Sequence, residues 1–306
     1  MKNIILLLFV FSFCKNIYSQ EGVQKAFYPD GKLKQTENYK NGKLDGEARY
    51  YYENGILKEV INFKDGKKNG PAFSFSEEGI LKEKVIYSDN KFNGDFRTFH
   101  SSGSLQENGE YDNGVMVNSY RAFYETGELK SDYFFVSGEK TGTAKDYYKN
   151  GNIKAEAIYE RNLQNGITKW FYESGKIKGE FFYEGGNLHG EAKEYFEDGG
   201  VKSIKNYVYG KSDGMHKEFH ENGKLKIESN FKMGFREGVT KSFYDNGTLW
   251  TEQNYKKNQL DGETKIFRSS ASLWFIETYE SGKLILSKEY SEDGKLIEEK
   301  KIEYSF

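Results

Sequence analysis

Between Tyr51 and Ser74, apolar and polar residues alternate on either side of two turn signals. Ile56-Leu57, Val60-Ile61 and Phe63 carry the apolar character, and Glu53-Asn54-Gly55 and Asp65-Gly66 interrupt it. Short alternating runs bounded by Asn and Gly predict β-strands joined by tight turns. The same arrangement returns along nearly the whole chain. Tyr39, Phe63, Tyr87, Tyr111, Phe135, Tyr159, Tyr183, Tyr207, Phe231, Tyr255 and Tyr279 stand 24 residues apart, without insertion or deletion. A fixed short period identifies a repeat architecture in which each unit buries its apolar face mainly against its neighbours.

Within a unit the first turn is a triplet ending in Gly: Glu53-Asn54-Gly55, Lys149-Asn150-Gly151, Glu221-Asn222-Gly223 and Asp245-Asn246-Gly247. Three such residues suit a type I turn closed by a bulge at Gly. That loop length sets Tyr51 opposite Leu57, Phe75 opposite Leu81, Phe123 opposite Leu129, Phe171 opposite Ile177 and Phe243 opposite Leu249. Aromatic–aliphatic cross-strand pairs of this kind stabilise a sheet by roughly 0.2–1 kcal/mol each. The second connection carries two glycines four apart, as in Gly42/Gly46, Gly66/Gly70, Gly138/Gly142 and Gly186/Gly190. Asn90, Asn162 and Asn258 replace the first of the pair and Asn118 the second. Asn is the usual substitute for Gly in left-handed backbone, so positive φ is expected at both places.

The predicted fold is all-β: an elongated array of about eleven antiparallel hairpins forming one twisted, coiled sheet. At ~4.8 Å per strand, some 22 strands extend on the order of 100 Å. The expected division is a leader over 1–19, the repeat array over 20–289 and capping strands over 290–306. Such caps cover exposed strand edges at the ends of an array. The unit aromatic-Tyr-x-x-Gly-x-Leu-Lys-x-Glu-x-x-Tyr-x-x-Gly-x-x-x-Gly resembles the MORN-repeat variant of bacterial proteins. Phe27 to Gly46 and Phe171 to Gly190 carry it well, and it covers about residues 25 to 300. The resemblance implies a β-hairpin array, scaffold or binding roles, no catalytic residues, and membership of a family often labelled antitoxin-like.

Composition refines this picture. Hydrophobic residues reach only 36%, and mean hydropathy is −0.83, yet there are 24 Tyr, 24 Phe and only 2 Pro. So many aromatic residues oppose disorder and point to a thin sheet with ribbons of rings. The net charge of −2, from 45 basic and 47 acidic residues, argues against nucleic acid as a partner. Met1-Lys2-Asn3, the apolar run from Ile4 to Phe13, and a small residue at Ser19 form a secretory signal peptide, with cleavage expected after Ser19. The apolar run is too short to span a bilayer, so no integral membrane segment is expected after cleavage. The protein is therefore expected outside the cytoplasm: periplasmic, surface-bound or secreted. Lipid attachment at Cys14 is disfavoured because bulky Phe13 precedes it. Cleavage at Ser19 also removes the chain's single cysteine.

No catalytic signature is found, no cofactor or metal is implied, and an enzyme is not expected. His216 and His220 stand four apart in a strand region without a third ligand, and Asp45-Gly46-Glu47 and Asp261-Gly262-Glu263 read as turns. Two periodic rows are the binding candidates. A basic row precedes each unit's first aromatic: Arg49, Arg97, Arg121, Lys145, Lys169, Lys193, Lys217, Lys241 and Lys265, with Phe73 as its exception. It could hold an acidic partner at roughly 10 Å steps. The stronger reading pairs it across strands, Arg49 facing Glu59 and Arg97 facing Glu107. A tyrosine row comprises Tyr28, Tyr52, Tyr124, Tyr148, Tyr172 and Tyr244, with His100 and His220 in the same column. An exposed row could bind peptide or stack sugars, and a half-buried one would serve as a second packing face. The expected activity is an extended β surface for a protein partner or scaffold. A cell-envelope glycan is the alternative partner, and an antitoxin-like inhibitor a third reading.

Overall fold

A computed structural model describes residues 20–303; the leader expected over 1–19 lies outside these residues. The described chain is all-β. It contains 29 strands, from Gly22–Phe27 to Leu296–Lys301, joined only by antiparallel pairings in one sheet, and no helix among the described residues. It divides into two compact units, one ending at Gly103 and including Tyr111–Gly114, the other holding Ser104–Glu110 and everything from Val115.

The repeat in the first unit shows how the sequence builds the sheet. Strands Gly46–Tyr51 and Leu57–Lys64 meet through Glu53-Asn54-Gly55. The Gly55 N–H donates to the Tyr52 carbonyl at 2.9 Å, and the Tyr52 N–H to the Ile56 carbonyl at 2.8 Å. Gly55 has φ 85°. This is the bulged three-residue turn, and Tyr51 lies opposite Leu57. In the second unit Phe171 opposes Ile177, Phe123 opposes Leu129 and Phe243 opposes Leu249.

One expected register fails here. Tyr50 opposes Glu59 while Tyr51 opposes Leu57, so Lys58 is an extra residue without a cross-strand partner. The skip moves every later pairing by one position, and Arg49 faces Val60 rather than Glu59. Its guanidinium bonds Glu47 on its own strand at 2.6 Å instead.

The opposite edge has a tighter connection than the glycines alone suggest. Asp65 and Gly66 both have positive φ, 51° and 84°, and Lys64 opposes Lys67. Two consecutive left-handed residues make a two-residue type I′ turn. Asn90, Asn162 and Asn258 hold the second place at φ 67–69°. The further glycine marks a bulge in the following strand. A Cβ at Gly70 would lie 3.3 Å from the Asn62 Cβ, and the Asn62 amide crosses the bulge to the Pro71 carbonyl at 2.8 Å. Asn206 and Asn254 do the same in the second unit, reaching the Met215 and Glu263 carbonyls at 2.7 Å.

Successive turns are also stitched together. The Gly66 N–H donates to the Leu44 carbonyl at 2.7 Å, and Gly186 to Gln164 at 2.9 Å, each 22 residues back. The most buried positions are small: Ala48 and Ala72 in the first unit, and Thr168, Ala192, Thr240 and Thr264 in the second, with Thr168 only 1% exposed. The period aromatics Phe63, Tyr159, Tyr183 and Tyr255 are only half-buried. Where the small column carries a ring, that ring meets the period aromatics: Phe96 lies 5.1 Å from Tyr111, and His216 lies 4.4 Å from Phe231. The core is a row of small side chains flanked by rings, and a single layer suffices to bury them.

Candidate functional site

The tyrosine row sits immediately before each bulged turn. Its hydroxyls are already engaged. Tyr28 donates to the Tyr51 carbonyl at 2.6 Å and Tyr52 to Phe75 at 2.8 Å. In the second unit Tyr124 donates to Tyr147 at 2.7 Å, Tyr148 to Phe171 at 2.8 Å, Tyr172 to Tyr195 at 2.7 Å and Tyr244 to Phe267 at 2.9 Å. Each bond spans 23 residues, which ties one turn to the end of the next unit's first strand. His220 Nε2 takes the same role toward the Phe243 carbonyl at 3.0 Å. The rings are half-buried. A lysine six residues on covers many of their faces: Lys58 lies 5.6 Å from Tyr52, Lys130 5.9 Å from Tyr124, Lys154 5.9 Å from Tyr148 and Lys178 5.6 Å from Tyr172. Sugar stacking would need free ring faces here.

The basic row of the second unit is one half of an alternating ladder. Arg121 opposes Asp132, which opposes Lys145; Lys145 opposes Glu156, which opposes Lys169; Lys169 opposes Glu180, which opposes Lys193. The pairs Arg121–Asp132, Lys145–Glu156 and Lys169–Glu180 close at 3.4, 3.3 and 3.7 Å. Lys193 faces Ile204 on its other side and turns to Glu191 at 2.7 Å. Lys217–Glu228 and Lys241–Glu252 repeat the motif at 3.4 Å. In the first unit the row loses this pattern: Val60 opposes Phe73, and Lys84 opposes Arg97.

Beside the ladder in the second unit runs an apolar row. Ile167 and Phe182 oppose each other, and Ile158 opposes Thr143. They stand two residues along the strand from Lys169, Glu180, Glu156 and Lys145, so strand alternation puts them on the ladder's face. Phe134 is likewise two residues from Asp132. Phe134, Ile158, Ile167 and Phe182 are 43, 44, 51 and 39% exposed.

The remaining titratable groups have structural surroundings. His216 is buried, donates from Nε2 to the Asn206 carbonyl at 2.8 Å, and has its pKa lowered chiefly by burial. The Tyr133 hydroxyl bonds Asp146, and burial together with that carboxylate pushes its pKa up to about 12. Burial lowers the pKa of Lys140, whose ammonium lies 3.7 Å from the Tyr133 ring centre. Asp45 caps the next turn by accepting the Asp65 N–H at 3.2 Å, which gives the Asp-Gly-Glu motif a structural role.

This repeating geometry agrees with what the chain is similar to. The MORN repeat variant matches eight times, at residues 20–41, 44–65, 92–113, 140–161, 164–186, 188–209, 212–233 and 236–257, together more than half of the sequence. The chain belongs to the MORN repeat variant family. No curated protein matches it. Among solved structures, a chain of TcdB2-TccC3-Cdc42 aligns at TM-score 0.18 and 11% identity, over 90% of this chain and 20% of that one. A chain of TcdB2-TccC3 aligns at TM-score 0.15 and 10% identity, over 91% and 18%. This chain thus spans about a fifth of those solved chains, and superpositions so loose carry no functional argument.

Against this MORN repeat pattern one column changes character. The bulge residue is Lys34, Lys58, Lys82, Lys130, Lys154, Lys178, Lys202 and Lys226, with Gln106 as an exception, but Trp250 and Trp274 in the last two regular units. Both tryptophans are exposed. The signal was present in the period, as a lysine column that ends in tryptophan.

Proposed function

We propose that this MORN repeat protein is an exported, non-enzymatic scaffold that docks a protein partner along the β surface of its second unit. The exposed apolar row of Phe134, Ile158, Ile167 and Phe182 carries this reading. Contiguous exposed apolar side chains beside charged ones mark protein-docking surfaces. Arg121, Lys145, Lys169 and Lys193 form the charged rim of that row. Each unit otherwise uses its polar side chains to hold the next, and repetition of one residue set favours binding over single-copy catalysis. The leader expected over 1–19 supports a partner in the cell envelope or beyond it.

The test is recovery of a co-purifying protein from the exported fraction, with the native chain compared against Ile158→Ser/Phe182→Ser. These exposed changes should leave the unfolding midpoint within about 1 kcal/mol and reduce recovery at least tenfold. Equal recovery by both chains, or retention of the native protein in the cytoplasm with its leader uncut, defeats the proposal.

A further inference from the structure

The turn at His220 and the following turn at Tyr244 enclose a cleft of about 300 Å³ in the second unit. Ile227, Phe243, Tyr244 and Trp250 form its apolar wall, and His220 and Lys226 close one side. Trp250 stands 5.8 Å from the Tyr244 ring and remains 47% exposed. At Lys34, Lys58, Lys130, Lys154 and Lys178 this position is a lysine laid over its own tyrosine. Here Trp250 replaces the lysine above Tyr244, and the smaller His220 takes the tyrosine's place six residues before Lys226. The apolar surface continues at the next turn, where Trp274 packs 5.1 Å from the Arg268 guanidinium.

The wall selects the ligand. The Tyr244 hydroxyl is given to Phe267 and His220 Nε2 to Phe243, at 2.9 and 3.0 Å. A sugar would bury hydroxyls against aromatic carbon with few partners, which is costly. A volume near 300 Å³ lies at the small end of ligand sites and suits one ring. The rim selects charge. Lys226 lines the cleft and takes part in no ion pair among the described residues. Asp245 is the one acid at the cleft.

We propose that this cleft is an anchor pocket for an aromatic side chain in an acidic segment of a partner protein. The inference rests on the protein-binding reading above and adds a second contact to it, with stated chemistry. Tryptophan and tyrosine at such a pocket supply most of the energy in a typical interface.

The experiment titrates the purified chain with N-acetyl-Asp-Phe-amide, N-acetyl-Lys-Phe-amide and methyl glucoside, and reads the indole N–H signals of Trp170, Trp250 and Trp274 by NMR. Both dipeptides should move the Trp250 signal saturably, the acidic one binding at least threefold more tightly at low salt. Lys226→Gln should abolish that preference. His220→Tyr restores the residue found at most other turns, so it should fold normally, fill the cleft and weaken binding at least tenfold. Unchanged binding by His220→Tyr, movement of the Trp250 signal by the glucoside alone, or no movement with either dipeptide overturns the pocket. Because no partner is used, those failures leave the scaffold reading to its own co-purification test.

Discussion

Single residues in this protein act mostly on the neighbouring repeat. A tyrosine hydroxyl that donates to a carbonyl 23 residues ahead has no local partner in the sequence, so its role could not be read from its own unit. Tyr124, Tyr148 and Tyr172 therefore read as equally suited to ligands and to packing, and in the structure their hydroxyls donate to the carbonyls of Tyr147, Phe171 and Tyr195. Each Tyr→Phe change keeps the ring and removes the bond, so it should cost about 1 kcal/mol by urea unfolding. A neutral triple variant would show that these contacts contribute nothing. Backbone strain gives the opposite expectation at Met233, which holds the first place of a type I′ turn at φ 52° and is exposed. Met233→Asn should stabilise by about 0.5–1 kcal/mol, as Asn tolerates this conformation, and a lower melting temperature would contradict it. His216 gives a pH dependence. Burial lowers its pKa in the folded chain, so the unfolded chain takes up the proton first as pH falls through about 6.5. Stability is then lost on acidification, in a site shared with Lys205, Glu218 and Arg236. His216→Thr installs the side chain present at Thr168, Thr240 and Thr264. The variant should lose less stability than the native chain between pH 7.5 and 5.5; parallel losses would remove His216 as the cause.

At the level of strands and turns, the period and the turn residues made the hairpins legible, down to Tyr51 opposite Leu57. Two things were hidden. The extra residue at Lys58 lies in an ordinary lysine, and without it the acid opposite Arg49 is misplaced by one position. The core was hidden because Ala48, Thr168 and Ala192 carry little apolar signal, and their burial comes from rings on adjacent strands. Once the skip is included, Arg121, Lys145, Lys169, Lys217 and Lys241 each face an acid eleven positions on. The worth of this ladder is best tested by reversal, since exposed pairs individually contribute little. Lys169→Glu places a carboxylate between Glu156 and Glu180. It should destabilise by about 1 kcal/mol and recover part of this in 0.5 M salt. Lys265→Gln removes a charge that faces Ile276 on one side, and it should cost less. Equal, salt-independent effects would mean that the ladder contributes no register energy.

At the scale of the whole chain, a strict period has a consequence that no single contact has. Residue 140 and residue 164 occupy equivalent places, as the family matches starting at both positions show. Deleting 140–163 joins equivalent points, so every later side chain keeps its face and each new neighbour is of the kind it had before. The turn stitch, the tyrosine bond and the small-residue column all reform across the junction, because each spans 22 or 23 residues or recurs at 24. The shortened chain should fold cooperatively, with a denaturant slope smaller by roughly a tenth, in proportion to the surface removed. Deleting 140–162 instead removes one residue fewer. That shift turns the following strand over, sending Phe181 and Tyr183 toward the face that carries Glu180 and Phe182. The second chain should aggregate or lose its cooperative transition, although it is the longer of the two. If both deletions behave alike in unfolding and solubility, the equivalence of units does not govern this fold, and each hairpin is held by contacts peculiar to itself.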